Sequence, residues 1–418
     1  MLYCLLVVLR GKLLKKARGR TGLTTPARLA NFISGVDSNT IFNFPISNQN
    51  FDLNLIKNDF DEYVSKNKTV AFLVIHNDTI KYEKYYNKYN EASIVPSFSM
   101  AKSFTSILIG CAIDDKLITS IKEPITNYIP ELKKNDFQKV TIEHLLQMTS
   151  GLDFNESYLN PFGHAASFYY GRNLRKETSK LKLKNEPGKV CEYVSGNTQL
   201  LGLVLERALK EKTISKYFEE KIWTPLQMEY DASWSIDKKK NGLEKTFCCV
   251  NARTKDFAKI GRLYLNKGNW NGNQLISKDF VDETFTEYWD VTPQWWTNAK
   301  RGYTLHWWVS KNDEEGSIFN ASGKFGQYIF VDRENDIIFT RITKYHPTPG
   351  SIQDWGRLGR VEVNNIGRWL KVTRFLEKVG ILDADDLKTP NTRKDGESKE
   401  FYEIYGEVID SISDLSRN

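Results

Sequence analysis

The chain has 418 residues, of which 40% are hydrophobic, and its formal net charge is +7. This composition is that of a folded globular protein with enough apolar residues for a large core. Six lysines and arginines and no acidic residue lie in residues 1–20, which leaves a net charge of +1 for the rest of the chain. A nucleic-acid-binding protein carries its basic excess on the folded domain, so we exclude nucleic acid as a partner.

The N-terminal segment begins with eight apolar residues, Leu2 to Leu9, followed by the basic residues. A run of this length cannot cross a bilayer as a helix, and a secretory signal has charge first and a longer apolar core second. We interpret residues 1–40 as a basic segment that is a candidate for association with a membrane surface, or as the tail of an anchor. This interpretation favours the cell envelope, membrane-associated or periplasmic, over the cytoplasm.

The first regular elements along the chain are two strands and a helix. Residues 25–60 are polar and turn-rich, which predicts an irregular lead-in. Segment 69–87 is rich in Val, Ile, Phe and Tyr and is interrupted at Asn77-Asp78, which predicts two strands joined by a turn. Ser99 then begins an apolar helix that extends to about Ile113.

Helical periodicity dominates the middle of the chain. A segment at 141–151 with Thr141 as its N-cap and amphipathic segments at 198–211 and 253–268 all predict helices. Strand-forming residues return in the last third of the chain, where a hairpin is predicted to turn at Glu334-Asn335.

These elements predict an α+β fold. Strands joined by hairpins form an antiparallel sheet, and we expect the late hairpin at 328–343 to complete the early sheet, with helices at its flanks. We assign residues 41–380 to this domain, with a largely helical insert at about 116–300 and a final amphipathic helix at 363–380. Residues 381–418 are predicted to be a polar, mostly disordered tail.

The cysteines do not form a recognisable framework. Their number is odd, two of them are adjacent, and none belongs to a Cys-x-x-Cys pair, so the sequence predicts neither a disulfide framework nor a zinc site. We expect reduced thiols packed as small hydrophobic residues. The five are Cys4, Cys111, Cys191, Cys248 and Cys249.

One Ser-x-x-Lys motif differs from three others in the chain. Lys102 lies one turn after Ser99 in an apolar helix, where loss of water favours the neutral amine and makes the lysine a base for the serine. A buried helix that happens to begin with these two residues remains the alternative. The other three lysines lie in polar stretches, where they stay solvated and protonated. Those three motifs are Ser65/Lys68, Ser179/Lys182 and Ser235/Lys238.

Three motifs in order resemble the serine β-lactamase-like superfamily, in the branch of class C β-lactamases, esterases and 6-aminohexanoate-dimer hydrolases. They are "SMAK" from Ser99, "YVSGNTQLLG" from Tyr193 and "SGKFGQYIFVD" from Ser322. The resemblance covers about residues 60–375. Where the class C branch has asparagine two residues after the tyrosine, this chain has Ser195, as in the esterase and amide-hydrolase branches.

The resemblance implies a β-lactamase-like fold and a serine hydrolase that cleaves a small amide or ester through an acyl-enzyme on Ser99. Lys102 and Tyr193 would share the proton transfers, and the backbone N–H groups of Ser99 and Gln327 would bind the oxyanion. No metal and no cofactor are implied. The further site residues are Lys324, Gly326, Ser195 and Asn197.

Two other functions stay open at the level of the sequence. The first is a non-catalytic binding or scaffold protein with the same fold, and the second is a peptidase for cell-wall peptides that carry D-amino acids. A Ser-His-Asp triad is not supported, because no serine lies in a Gly-x-Ser-x-Gly elbow. We expect His144 and His306 to be structural, and Trp307 and Trp308 to pack in the core.

Overall fold

The structure is a computed structural model that describes residues 30–36, 40–48, 51–53, 59–66, 68–156, 163–290, 301–310, 316–324 and 326–343. The basic residues before residue 30, the helix predicted at 363–380 and the tail from residue 381 lie outside this described part. Among the described residues, no helix is long and apolar enough to cross a membrane.

The described part contains strands β1 (Ala30–Ile33), β2 (Thr69–His76), β3 (Thr79–Tyr85), β4 (Val95–Pro96), β5 (Ala232–Ser235), β6 (Val250–Ala252), β7 (Asn269–Trp270), β8 (Asn273–Gln274), β9 (Trp289–Asp290), β10 (Arg301–Tyr303), β11 (Trp308–Ser310), β12 (Ile318–Gly323), β13 (Gln327–Asp332) and β14 (Ile337–Thr343). Its α-helices are α1 (Phe60–Lys66), α2 (Met100–Asp114), α3 (Ile142–Leu146), α4 (His164–Tyr170), α5 (Leu174–Thr178), α6 (Ser195–Leu209), α7 (Ile214–Phe218), α8 (Thr254–Leu265) and α9 (Lys278–Glu283). Short 3-10 or π helices occupy Ile125–Asn127, Pro130–Asn135, Phe137–Lys139 and Glu219–Trp223.

The main sheet has eight strands in the order β3-β2-β14-β13-β12-β11-β10-β9, and every pairing in it is antiparallel. Strand β14 pairs with β2, with Phe339 opposite Val74, so the late hairpin completes the early sheet as the sequence predicts. The turn between β2 and β3 has Asn77 and Asp78 at φ 49° and 57°. Asn and Asp tolerate this left-handed backbone, which the tightest hairpin turns require.

Both faces of the sheet are covered, which explains why β2 is buried along its whole length. Helix α1 packs Phe60 and Val64 against one face, together with Phe72 and Phe339 of the sheet. Helix α8 contacts β13 and β14 on the other face, and α2 contacts β12 near its end. The predicted α+β architecture with an antiparallel sheet flanked by helices is confirmed.

A second, smaller sheet was not predicted. It has the order β1-β5-β6-β4, so strand β1 lies within the segment predicted as an irregular lead-in, and β5 and β6 lie within the region predicted to be largely helical. Strands of two to four residues are too short to display the two-residue alternation by which a sequence reveals a strand. This sheet is important for the site because β4 leads directly into the segment before α2.

The cysteine prediction is wrong for the adjacent pair. Cys248 and Cys249 form a disulfide, whereas Cys111 and Cys191 are free thiols and Cys4 lies outside the described residues. The chain turns at Cys249, where φ is 74°, and this turn brings the two neighbouring side chains together. Rules based on spacing address cysteines that close a loop, so they do not anticipate a bond between neighbours in sequence.

Candidate active site

Ser99 lies at the start of α2, held by the small sheet. The N–H of Ser97 donates to the carbonyl of Val250 at 2.8 Å, and the N–H of Val250 donates to Ser97 Oγ at 3.1 Å. Between this anchor and the serine, Phe98 has φ 46°, a left-handed conformation that is costly for a large side chain. Backbone outliers of this kind cluster at active sites, because the surrounding structure must hold them in place.

Lys102 is almost completely buried, with 1% of its surface exposed. Its Nζ lies 3.1 Å from Ser99 Oγ, 3.2 Å from Ser195 Oγ and 3.0 Å from the carbonyl oxygen of Phe247. Burial lowers the pKa of Lys102 to about 8, and the negative charge of Glu156 opposes this decrease. A substantial fraction of the side chain is therefore neutral near pH 8 and can accept a proton.

The other three Ser-x-x-Lys lysines are in different surroundings. Lys182 is exposed, and Lys68 and Lys238 are half-buried, so each keeps access to water. Lys102 is thus the buried lysine among the four motifs, as the apolar sequence around it predicts.

Tyr193 packs beside this pair through its ring. Lys102 Nζ lies 5.0 Å from the centre of the Tyr193 ring, a distance at which a cation is attracted to the aromatic face. The Tyr193 ring also packs against two aromatic rings, those of Tyr303 at 5.5 Å and Trp308 at 5.4 Å between ring centres. These contacts fix the plane of the phenol next to the lysine.

Ser195 and Asn197, both in the first turn of α6, face different partners. Ser195 Oγ accepts from Lys102 and donates to Glu156 Oε1 at 2.6 Å. The Asn197 side chain instead accepts from Ser150 and donates to Met148 Sδ at 3.2 Å. The structure therefore brings Ser195 to Lys102, whereas Asn197 connects α6 to the segment after α3.

Glu156 belongs to this cluster and was missed from the sequence. Its carboxylate accepts from both the backbone N–H and the hydroxyl of Ser195, at 2.7 Å and 2.6 Å. Phe154 packs on the first turn of α6 because Gly196 has no side chain there, and a Cβ at that position would lie 2.7 Å from Phe154 Cδ2. The sequence offers one signal for this contact, which is the small residue Gly196 beside Ser195. A glycine indicates that another segment packs closely there, but it does not identify that segment.

The third motif forms the turn between β12 and β13. Gly323 lies against the segment before the serine, since a Cβ there would be 2.4 Å from the carbonyl oxygen of Ser97. Lys324 is exposed, and Gly326 has φ 86°. The Gln327 side chain accepts from the N–H of Thr343 at 3.0 Å, which ties the start of β13 to the end of β14.

The disulfide lies in a chain segment that contacts the site on both sides of the bond. Phe247, immediately before it, provides the carbonyl that binds Lys102, and Val250, immediately after it, holds Ser97. The disulfide thus lies between a residue that contacts Lys102 and a residue that holds Ser97.

The two histidines are structural, as predicted. His306 Nδ1 donates to the carbonyl of Leu146 at 2.8 Å, and Nε2 accepts from Thr198 at 2.9 Å. Burial lowers the pKa of His306 to about 3, so the ring is neutral. His144 Nδ1 accepts from the N–H of Thr141 and completes the cap of α3.

Known proteins share this architecture. The 6-aminohexanoate-dimer hydrolase of Paenarthrobacter ureafaciens is 24% identical over 335 residues, which is 77% of this chain and 82% of that protein. A putative 6-aminohexanoate-dimer hydrolase from Bacillus anthracis superposes with a TM-score of 0.71 and 22% identity, over 93% of this chain and 92% of that one. A family VIII carboxylesterase superposes with a TM-score of 0.55 and 15% identity, over 71% and 93% of the two chains.

A family model agrees with these similarities and covers most of the chain. The model described as Beta-lactamase matches residues 56–361, a range that includes α2, the start of α6 and the turn between β12 and β13. The chain belongs to the Beta-lactamase family.

Proposed function

We propose that this chain hydrolyses a small amide or ester through an acyl-enzyme on Ser99. The observation that carries the proposal is the position of Lys102, whose buried Nζ lies 3.1 Å from Ser99 Oγ. The pKa of about 8 that burial gives to Lys102 makes it a base near neutral pH. The names of the similar proteins, a 6-aminohexanoate-dimer hydrolase and a carboxylesterase, agree with this reaction class.

The first half of the reaction forms the acyl-enzyme. Ser99 Oγ transfers its proton to Lys102 Nζ while it forms a bond to the carbonyl carbon, and the carbonyl oxygen becomes an oxyanion. The N–H groups of Ser99 and Gln327 bind this oxyanion, with Ser99 at the positive end of α2. The bond from the carbonyl carbon to nitrogen or oxygen then breaks, and the leaving group takes a proton.

Tyr193 and Lys102 deliver that proton to the leaving group. The ring of Tyr193 packs beside Lys102 Nζ and against Trp308, and we assign to its hydroxyl the transfer of the proton from the lysine to the leaving group. In the second half, water attacks the acyl carbon and gives a proton to Lys102. The bond from that carbon to Ser99 Oγ then breaks, Ser99 Oγ takes the proton back from Lys102, and the carboxylic acid leaves. The cycle needs no metal and no cofactor.

The proposal is tested by covalent labelling of Ser99. The protein and Ser99→Ala are incubated with a fluorophosphonate, and their intact masses are compared. We expect one adduct on the parent and none on the variant. No adduct on the folded parent would contradict the proposal and favour a binding protein of this fold.

A substrate panel then separates the reaction classes. The unlabelled parent protein is assayed with 6-aminohexanoate dimer, p-nitrophenyl esters and D-alanyl peptides, with Ser99→Ala as the control. Turnover of the dimer or the esters supports the proposal, whereas turnover of D-alanyl peptides alone would reassign the protein to the peptidases.

A further inference from the structure

We propose that Glu156 is a positioning residue that aims the lone pair of Lys102 at Ser99 by holding the hydroxyl proton of Ser195. The inference rests on the proposed function, because it assigns a task within the same proton transfer. It concerns a residue that does not touch the reacting atoms and acts through Ser195.

The first step is the pair of bonds between Glu156 and Ser195. A carboxylate is an acceptor only, so both the N–H and the O–H of Ser195 must donate to it, at 2.7 Å and 2.6 Å. Such bonds to a charged acceptor are about twice as strong as neutral ones. The single proton of the Ser195 hydroxyl is therefore committed to Glu156.

The second step is the hydrogen-bond inventory of Lys102. A neutral lysine amine has two N–H groups and one lone pair, and its Nζ has three oxygen neighbours at 3.0 to 3.2 Å. The carbonyl of Phe247 can only accept. Ser195 Oγ also can only accept from Lys102, because its proton is directed to Glu156. Both N–H groups are thus used, and the lone pair faces the Ser99 hydroxyl.

The same arrangement serves the protonated amine. After Lys102 accepts the proton of Ser99, its three N–H groups face the same three oxygen atoms that surround the neutral amine. The proton can then return to Ser99 or pass to the leaving group without rotation of the amine. Preorganisation of this kind lowers the cost of the transfer, because no group has to reorient in the transition state.

Loss of Glu156 removes this constraint. In Glu156→Gln one amide oxygen replaces two carboxylate oxygens, so the Ser195 hydroxyl can turn its proton to the lone pair of Lys102 and block it. The substitution also removes the nearby negative charge, which raises the pKa of Lys102 in the parent. Among the described residues, the other titratable groups that act on Lys102 are Tyr193 and His306, and His306 is neutral, with its pKa lowered to about 3.

The experiment measures the rate of fluorophosphonate labelling of Ser99 between pH 6 and 10 by intact mass. The parent, Glu156→Gln, Glu156→Asp, Ser195→Ala and the double variant Glu156→Gln/Ser195→Ala are compared, with circular dichroism as the check of folding. Glu177→Gln is the matched control, since Glu177 pairs with Lys180 on the surface. Labelling of the parent decides the proposed function, and the variants decide the role of Glu156.

We expect Glu156→Gln to label at least about tenfold more slowly at pH 8, with the midpoint of its pH profile moved to lower pH. Glu156→Asp keeps an acceptor for the Ser195 proton, so it should recover part of the rate. Because Glu156 acts through Ser195, adding Glu156→Gln to Ser195→Ala should lower the rate by less than about twofold.

Two results would overturn the inference. One is an unchanged rate and midpoint in Glu156→Gln, and the other is an equal loss of rate from that substitution with and without Ser195. A merely structural role would lower the rate in every background and leave the midpoint in place. If Glu156→Gln does not fold, Glu156→Asp replaces it, both alone and combined with Ser195→Ala. The inference is supported if Glu156→Asp alone labels more slowly than the parent and if adding it to Ser195→Ala changes neither the rate nor the midpoint. Any other pattern refutes the inference.

Discussion

Lys102 and Lys259 are both buried, but only one of them has the surroundings of a catalytic base. Burial lowers the pKa of each to about 8. Lys259 donates to the carbonyl of Gln227 at 2.9 Å and lies 3.9 Å from Asp256. Lys102 instead contacts two hydroxyls and one carbonyl. Burial alone thus provides the neutral amine, and the neighbouring groups decide whether a proton can be taken from a nucleophile.

Lys245 extends the comparison to a third site. It is also buried, its pKa is also lowered to about 8 by burial, and its Nζ donates to the carbonyl of Tyr169. Asp237 opposes the decrease, as Glu156 does for Lys102. Lys245 and Lys259 are therefore natural controls for Lys102. They share its burial and pKa and bond to backbone carbonyls, whereas Lys102 also contacts the hydroxyls of Ser99 and Ser195.

The largest difference should appear when the three lysines are replaced by methionine. Lys102→Met removes the proposed base and should lower kcat/KM by about 10³-fold or more. Lys245→Met and Lys259→Met remove amines that do not face Ser99, so their kcat/KM should stay within about threefold of the parent. Steady-state kinetics on an activated ester measure all three. A similar loss in the control variants would show that burial, and not the neighbours, limits activity.

The pH profile sharpens the same comparison. Only neutral Lys102 can accept the Ser99 proton, so kcat/KM should rise with pH as one group loses its proton, with a midpoint near pH 8. The midpoint should be the same in Lys245→Met and Lys259→Met. A midpoint near pH 6 would instead point to a histidine or a carboxyl group as the base. The measurement is kcat/KM from pH 6 to 10 with a substrate that does not titrate.

Tyr193 and Tyr303 allow a smaller test of the same site. Tyr193→Phe keeps the ring contacts with Tyr303 and Trp308 but removes the hydroxyl, and we expect kcat to fall by about 10²-fold. Tyr303→Phe is the control, because the Tyr303 hydroxyl lies 3.4 Å from His306 inside the core. Its kcat should fall by less than about threefold. Equal losses would mean that the hydroxyl of Tyr193 acts on packing and not on the proton.

The sequence was informative where local pattern and burial coincide. The apolar residues after Ser99 predict both the helix and the buried amine of Lys102, and the Asn77-Asp78 turn predicts the first hairpin. Glu156 was not predictable, because it reaches Ser195 only after a distant segment packs on Gly196. The burial of Lys259 was equally unpredictable, because the periodicity of the sequence around it shows a helix but not which residues cover that helix.

The stability of the fold provides the last and smallest prediction, for Lys245. The unfolded chain keeps the proton of this lysine up to about pH 10.4, whereas the folded protein loses it near pH 8. Between these values the unfolded state binds more protons, so the free energy of unfolding rises with pH, by up to about 1.4 kcal/mol per pH unit for this group.

Lys245→Met removes that contribution, so its free energy of unfolding should rise less steeply between pH 8 and 10 than that of the parent. Urea denaturation at each pH measures the difference. Lys102 and Lys259 remain in the variant and keep their own share of the slope, because burial lowers their pKa in the same way. An identical slope in the variant and the parent would show that Lys245 stays protonated when folded, and burial alone would then no longer account for a neutral amine at Lys102.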